Sequence, residues 1–141
     1  MLAAARDAAE AKGIALTVDL ASDALEVPAD PTALRQVLGN LVDNAVRHTV
    51  TGRVTLFSRV HARGVEVGVR DTGVGIAPEH LPRIFERFYR VDPGRSREEG
   101  GTGLGLAIVK HLVEAHGGRV RAESTPGVGT TIVALIPHPG A

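Results

Sequence analysis

Two glycine-rich boxes, Asp71-Thr72-Gly73-Val74-Gly75 and Gly101-Thr102-Gly103-Leu104-Gly105, stand about thirty residues apart in the chain. Glycines spaced two apart let a backbone approach a ligand closely and direct its amides at that ligand. A carboxylate placed just before such a turn can accept a hydrogen bond from the same ligand. The pattern indicates a bound nucleotide whose phosphates lie under a movable loop. Arginines that could contact phosphate lie between or beside the boxes, at Arg83, Arg87, Arg90, Arg95 and Arg97.

Length and charge narrow the class of protein. The 141 residues fit one domain, and basic and acidic residues balance at sixteen each, so no net charge draws the chain to nucleic acid or to an anionic membrane. No apolar run approaches the ~20 residues that span a bilayer, and no signal peptide opens the sequence. Cysteine is absent, which excludes disulfides and cysteine metal sites. The composition predicts a cytoplasmic domain without direct contact to nucleic acid or membrane.

Apolar periodicity predicts helices and strands in alternation. Helices are expected over 1–12, 31–48, 78–83 and 104–116, and strands over 14–20, 25–27, 53–60, 65–70, 119–123 and 130–136. Strand pairs that alternate with long helices predict an α+β fold, a two-layer α/β sandwich with a mixed sheet packed against helices. Residues 89–101 carry almost no apolar side chains, which is typical of a functional loop.

The segment 31–48 is the best-defined helix, because Asp30-Pro31 supplies a capping acceptor and a proline in the first turn. At ~100° per residue its apolar side chains form one face, made of Leu34, Val37, Leu38, Leu41, Val42 and Ala45. A polar stripe, either a solvated surface or a ligand-binding face, lies opposite. Asparagine is a mediocre helix former, so the two asparagines favour the ligand when the glycine boxes are considered with them. The stripe consists of Gln36, Asn40, Asp43, Asn44 and Arg47.

Commoner phosphate-binding motifs do not account for these glycines. A Rossmann fingerprint needs glycine at its sixth position, where this chain has Leu106, Ile108 or Pro78, depending on the starting glycine. No lysine follows a glycine at the spacing of a P-loop. A different nucleotide-binding fold is therefore expected.

Four segments, at 40–49, 71–76, 84–90 and 101–106, share their residues, order and spacing with a known set of motifs. They closely resemble the asparagine, first glycine, phenylalanine and second glycine boxes of the ATP-binding catalytic domain of bacterial sensor histidine kinases. The resemblance covers residues 13–137. It implies a Bergerat-type ATP-binding fold, shared with gyrase, heat-shock chaperone and mismatch-repair ATPases, in which residues 89–101 form an ATP lid loop.

The resemblance implies roles for the polar stripe. Asn44 corresponds to the Mg²⁺ ligand, and Asn40, one turn earlier, to a catalytic residue that supports the metal or its waters. Arg47 would contact phosphate where the family usually has lysine. His48 lies near the nucleotide in the family, although a purely structural role is equally compatible with the sequence. Arg90 corresponds to the second catalytic residue and would reach the terminal phosphate.

The glycine boxes receive their roles from the same resemblance. Asp71 would accept a hydrogen bond from the exocyclic amine of adenine, the alternative being a carboxylate that only caps the turn. Gly73 and Gly75 would let the backbone pass close to the base, and the hydroxyl of Thr130 would face the adenine pocket. Further ATP contacts, including amides aimed at the phosphates, are implied at Ile76, Tyr89, Gly101, Thr102, Gly103, Leu104, Gly105 and Leu106.

The implied function is that of a protein-histidine kinase, which binds ATP and Mg²⁺ and donates the γ-phosphoryl group to a histidine of a dimerisation domain. The related hydrolytic ATPases carry glutamate where this chain has Asn40. An amide cannot act as the base that activates water, so the resemblance favours a phosphoryl donor. Alternatives are a non-catalytic ATP-binding regulatory module, an anti-sigma-type serine kinase and a conformational ATPase.

None of the six histidines stands in the sequence context of a phosphate acceptor. The segment 1–12 is therefore interpreted as a helical linker or the end of the dimerisation domain, and 13–141 as the catalytic domain. The chain alone is expected to bind ATP without phosphorylating itself. Its implied partners are the dimerisation domain of the same kinase and a cognate response regulator, and the parent kinase is either free in the cytoplasm or anchored in the inner membrane.

Overall fold

The computed structural model describes residues 3–19, 29–89 and 104–138. Within these ranges the chain forms α-helices, strands and one short 3-10 helix, Leu81–Arg83. The helices are α1 (Ala3–Lys12), α2 (Pro31–His48) and α3 (Gly105–Ala115). The strands are β1 (Ala15–Asp19), β2 (Arg53–His61), β3 (Gly64–Asp71), β4 (Arg119–Thr125) and β5 (Gly129–Pro137).

The strands form one mixed sheet in the order β1-β2-β3-β5-β4. β1 runs parallel to β2, and the other three pairs are antiparallel. The helices pack against this sheet, which confirms the predicted α+β architecture. No helix in the described ranges is long and apolar enough to cross a membrane.

Most predicted elements are confirmed to within two residues, and the short helix expected over 78–83, interrupted or bounded by Pro82, is shorter than predicted. Only the 3-10 helix forms there, with amides bonding three residues back, from His80 to Ala77 and from Arg83 to His80. An α-helix over this segment would need the amide of Pro82 to donate to the carbonyl of Pro78, and proline has no amide hydrogen. The short strand expected over 25–27 lies outside the described residues.

Helix α2 begins where the sequence predicted. The Asp30 side chain accepts a hydrogen bond from the Ala33 amide at 3.0 Å, which satisfies one of the amides left open at a helix start. The buried face matches the predicted one, except that Val46 also belongs to it and that Leu34 and Leu38 are only half-buried. Each fully buried aliphatic side chain contributes about 1.5–3 kcal/mol. The buried residues of α2 are Val37, Leu41, Val42, Ala45 and Val46.

Strand alternation places a carboxylate at the end of an apolar row. Val65, Val67 and Val69 of β3 all belong to the core beneath the helices. Because side chains two residues apart point to the same face, Asp71 extends this row and lies on the helix side of the sheet. The core between sheet and helices therefore ends in a polar group at one edge.

Helix α1 packs against α2 and is hydrogen-bonded to its C-terminal end. Ala9 is buried between them, with 1% of its surface exposed. The Lys12 ammonium donates to the carbonyls of Val46 at 2.8 Å and of Arg47 at 3.1 Å. A cation is favourable at a helix C-terminus because the last carbonyls have no partner within the helix. The N-terminal helix is thus coupled directly to the last turn of α2.

Replacement of Lys12 by methionine removes these two hydrogen bonds while it keeps most of the aliphatic stem. We expect Lys12→Met to lower the free energy of unfolding by about 1 kcal/mol, the net value of a charged hydrogen bond at a partly exposed site. Urea denaturation followed by circular dichroism measures the change. Lys110→Met is the matched control, since Lys110 is exposed on α3 and is the other lysine of the chain. Equal losses in the two variants would contradict the capping role.

Candidate functional site

The site is centred on Asp71, where β3 ends. Its side chain is only 6% exposed, and its Oδ1 accepts the amides of Gly73 at 2.9 Å and of Thr130 at 3.2 Å. Both bonds end on the same oxygen, so neither uses Oδ2. Burial raises the pKa of the Asp71 carboxyl above 3.8, although the two amides and the charge of His48 act to lower that pKa. The site therefore holds a desolvated carboxyl that is already oriented by the backbone.

The loop after Asp71 packs closely against the end of α2 and against β4, which explains why it contains glycines. A Cβ on Gly73 would lie 2.4 Å from the carbonyl oxygen of His48, at the end of α2. Gly75 has a φ of +78°, and a Cβ there would lie 2.4 Å from the carbonyl oxygen of Thr125 on β4. Side chains at either position would force these elements apart. The loop thus brings the end of β3 against both α2 and the β4–β5 turn.

The predicted polar stripe lies on α2, whose last residue, His48, contacts this loop through its carbonyl oxygen. The Nδ2 atom of Asn40 is buried and has no hydrogen-bond partner among the described residues. Asn44, one turn later, is partly exposed. Arg47 forms an ion pair with Asp43 at 2.6 Å, and His48 receives the Val74 amide on its carbonyl oxygen at 3.4 Å. A buried donor without an acceptor is costly in a folded protein, which marks Asn40 as a place where a ligand atom fits.

The first turn of α3 lies opposite Asn40. A Cβ built on Gly105 would lie 3.9 Å from Cβ and Cγ of Asn40, which is ordinary van der Waals contact. Leu104 precedes the helix and has no oxygen in its side chain to cap it, while Leu106 packs against the core. The amides at such a helix start are favourable to anions. The start of α3 therefore lies directly next to the side chain of Asn40.

Tyr89 is held by contacts with His80 and Arg83, two residues of its own segment. Its hydroxyl is hydrogen-bonded to Nδ1 of His80, and the guanidinium of Arg83 lies over its ring at 4.5 Å from the centroid. Ile84 is buried and Phe85 packs beside it, so this segment is anchored to the core just before residue 90. The structure joins Asp71 to Gly73 and Thr130 and, separately, places Asn40 beside Gly105. Arg90, Gly101, Thr102 and Gly103 lie outside the described residues.

Sequence reasoning missed Ser124, which lies on β4 directly opposite Thr130 on β5. The Ser124 hydroxyl oxygen accepts the amide of Ile76 at 2.7 Å and lies 2.9 Å from the Thr130 hydroxyl oxygen. The available signal was the turn at Gly127, since a hairpin closed there pairs residue 124 with residue 130. Ser124 ties the loop after Asp71 to the strand that carries Thr130.

The side-chain oxygens at this site suit a hard cation that retains most of its bound water and phosphate ligands. In the described part of the chain, no three His, Asp or Glu side chains lie together as a ready metal site. Asn40 and Asn44, one turn apart on α2, each carry a side-chain oxygen of the kind that binds a hard cation. Mg²⁺ prefers oxygen and commonly binds through one or two protein groups plus water and phosphate. The residues present therefore fit magnesium carried by a phosphate ligand.

Comparison with known families decides the class of this site. Residues 29–140 match the family model of the histidine kinase-, DNA gyrase B- and HSP90-like ATPases, and this stretch contains every element described above except α1 and β1. The chain belongs to this family. It is an ATP-binding catalytic module of the kind found in two-component sensor histidine kinases.

Curated relatives of this ATPase module are sensor kinases. It is 46% identical over 132 residues to the sensor-like histidine kinase SenX3 of Mycobacterium tuberculosis, which covers 92% of this chain and 32% of SenX3. It is 45% identical over 130 residues to the sensor histidine kinase CusS of Escherichia coli K12, covering 92% of this chain and 26% of CusS. The chain thus spans about a third or less of the length of these relatives.

Solved structures of histidine kinases share the fold of the module. Full-length ShkA in complex with AMPPNP aligns with a TM-score of 0.82 at 38% identity, over 93% of this chain and 27% of ShkA. The catalytic domain of the histidine kinase ThkA, free of nucleotide, aligns with a TM-score of 0.80 at 29% identity, over 96% of this chain and 88% of that one. These alignments confirm the predicted family and fold.

The raised pKa of Asp71 predicts how stability depends on pH. Because the folded state holds this proton more tightly than the unfolded state, stability falls as pH rises from 3.8 to the raised pKa. The loss persists at neutral pH. Asp71→Asn removes the ionisation and retains an oxygen for the amides of Gly73 and Thr130. We therefore expect the ligand-free variant to be at least as stable as the wild type at pH 7.

Thermal melts from pH 4 to pH 7 test this expectation, and the Asp71→Asn variant should lose part of the decline in Tm that the wild type shows. Asp43→Asn, at an exposed position of α2, controls for the removal of one negative charge. A variant less stable than the wild type across the whole range would show that the carboxyl stabilises the fold in its charged form.

Proposed function

We propose that the chain binds ATP together with Mg²⁺ and donates the γ-phosphoryl group to a histidine of a helical dimerisation domain. The observation that carries this proposal is the unpartnered side-chain nitrogen of Asn40 next to the start of α3. A buried amide donor without a partner and a helix start both favour an anionic ligand. The buried carboxyl of Asp71 is proposed to bind the base of the same ligand.

Adenine is the base that suits the Asp71 end of the site. An ionised carboxyl accepts hydrogen bonds and donates none, so it selects a base that presents an exocyclic amine. Its Oδ1 is occupied by two backbone amides, which orient Oδ2 without using it. Gly73 and Gly75 let the loop pack against the carbonyls of His48 and Thr125, which fixes the backbone that follows Asp71. The hydroxyl of Thr130, in register with Asp71, adds a second polar contact.

The triphosphate would lie between α2 and the start of α3. The oxygens of Asn44 and Asn40 would hold Mg²⁺, which when bound neutralises charge on the phosphate oxygens. Arg47 would turn from Asp43 towards phosphate, since their ion pair is exposed and therefore weak. His48, Ile76 and the amides at residues 101–106 complete the proposed contacts, and Arg90 is proposed at the terminal phosphate, with Tyr89 at the root of the lid.

The proposed phosphoryl acceptor and the proposed partners are inferred from the curated sensor kinases that this chain resembles. SenX3 and CusS are sensor histidine kinases several times longer than this chain, so a dimerisation domain and a response regulator are proposed partners. Helix α1 would be the linker or the end of the dimerisation domain, and the contact of Lys12 with α2 would join it to the nucleotide site. Asn40 provides no base to activate water, which favours transfer to a protein acceptor in the cytoplasm over hydrolysis.

Calorimetry with ATP and Mg²⁺ tests the binding half of this proposal. The wild-type chain should bind in the micromolar to millimolar range, and Asp71→Asn should weaken binding by at least about tenfold, the order expected when a buried base contact is lost. Asn44→Ala should weaken binding in the presence of Mg²⁺ more than in its absence. No heat at millimolar ATP would overturn the proposal.

Transfer is tested by labelling with γ-³²P-ATP in the presence of a dimerisation domain supplied as a separate chain. Label should reach its histidine, and Arg90→Ala should slow transfer more than it weakens ADP binding. ATP binding without transfer to the dimerisation domain of the parent kinase would instead favour a non-catalytic regulatory module.

Gly105 and Gly39 offer a matched pair for locating the phosphates. Both are helical, and neither would clash within the protein as alanine, since a Cβ at Gly39 meets nothing within 4 Å and one at Gly105 meets only Asn40 at 3.9 Å. Alanine should stabilise either helix by up to about 1 kcal/mol. Only Gly105→Ala should weaken ATP binding, by about tenfold, because its Cβ enters the space proposed for phosphate. Equal affinities of the two variants would place the phosphates elsewhere.

A further inference from the structure

Three polar atoms converge on the hydroxyl oxygen of Ser124. The amide of Ile76 donates to it at 2.7 Å, the carbonyl oxygen of Gly129 lies at 3.0 Å, and the hydroxyl oxygen of Thr130 lies at 2.9 Å. Ser124 is half-buried and Thr130 is buried, with 7% of its surface exposed. Water therefore competes little for these bonds.

The number of hydrogens available decides which group donates and which accepts in each of these three hydrogen bonds. A serine hydroxyl has one hydrogen and two lone pairs. The amide of Ile76 uses one lone pair, and the carbonyl of Gly129, which can only accept, takes the hydrogen of Ser124. The Thr130 hydroxyl must then donate its own hydrogen to the second lone pair of Ser124. Every hydrogen-bonding position of Ser124 is thereby filled.

This arrangement fixes what Thr130 can offer to a ligand. With its hydrogen directed at Ser124, the Thr130 oxygen presents only lone pairs to its other surroundings. Asp71 lies beside it in register across β3 and β5, and the backbone amide of Thr130 bonds to Oδ1 of that carboxyl. Two hydrogen-bond acceptors therefore stand next to each other at the buried end of the site.

We propose that Ser124 is a positioning residue that sets the base specificity of the site by holding Thr130 as an acceptor. This inference rests on the proposed binding of ATP. Adenine presents an amino group with two hydrogens, which suits two acceptors. Hypoxanthine presents a carbonyl oxygen at the same position, and an acceptor facing acceptors forms no hydrogen bond and is rejected.

Loss of the Ser124 hydroxyl releases the hydrogen of Thr130. The threonine can then rotate and donate to a carbonyl oxygen of the base, so inosine nucleotides gain a partner that adenosine nucleotides do not need. Ser124→Ala should therefore reduce the preference for ADP over inosine diphosphate by about fivefold, the order of one hydrogen bond gained in a buried site.

Isothermal calorimetry with ADP and with inosine diphosphate, each with Mg²⁺, measures this preference. Ser124→Thr keeps a hydroxyl and should retain the wild-type ratio. Ser124→Cys, nearly equal in size to serine but with a weak donor and acceptor, should shift the ratio in the same direction as alanine and provides the measurement if the alanine variant does not fold. A purely structural role would weaken both nucleotides equally and leave the ratio unchanged.

A double-mutant cycle with Thr130→Val isolates the route of the effect. Once the threonine hydroxyl is gone, Ser124→Ala should change the ratio no further. An equal change in both backgrounds, or an unchanged ratio in Ser124→Ala and Ser124→Cys alike, overturns the role of Ser124 while ATP binding stands. A wild-type chain that binds neither nucleotide overturns the proposed function as well.

Discussion

The arrangement of this domain depends on one buried carboxyl at the end of an apolar strand. Desolvation of a carboxylate is costly unless hydrogen bonds compensate for it, and the amides of Gly73 and Thr130 offset part of that cost for Asp71. The first amide requires the chain to turn immediately, and the second requires β5 to lie beside β3 in one register. The turn after Asp71 and the register of β3 with β5 are both tied to this carboxyl.

The same constraint makes the site a junction of several elements. The turn after Asp71 brings Gly73 against the last carbonyls of α2, so tightly that no Cβ fits. Helix α2 holds its polar stripe above that turn, and Lys12 of α1 bonds to the same last turn. A movement of α1 would therefore displace the C-terminal end of α2, the helix that carries Asn40 and Asn44. Helix α1 is in this way in direct contact with an element of the proposed nucleotide site.

Membership of the histidine kinase-, DNA gyrase B- and HSP90-like ATPase family does not by itself determine which acceptor receives the γ-phosphoryl group. Individual side chains determine it. Asn40 supplies an amide with a buried, unpartnered nitrogen, and an amide can orient a ligand but cannot remove a proton from water. In the proposed site, Ser124 and Thr130 select the base through the direction of a single hydroxyl hydrogen. The proposals thus assign reaction type and base choice to different small polar groups within one fold.

Sequence alone determined the features that are local. The period of α2, its cap at Asp30 and the glycine box after Asp71 were predictable because helix faces and tight turns depend on neighbouring residues. The interruption of the short helix at Pro82 was also predictable, although its restriction to 81–83 was not. The positions of Arg90 and of 101–103 relative to the site stay predictions.

Tertiary structure alone decided the contacts between distant segments. The bonds from Lys12 to the end of α2, the approach of Gly105 to Asn40 and the bond from the Ile76 amide to Ser124 join residues whose neighbours in sequence carry no sign of each other. Strand register and helix packing bring these atoms within hydrogen-bonding or van der Waals range, and both depend on the whole core being formed at once.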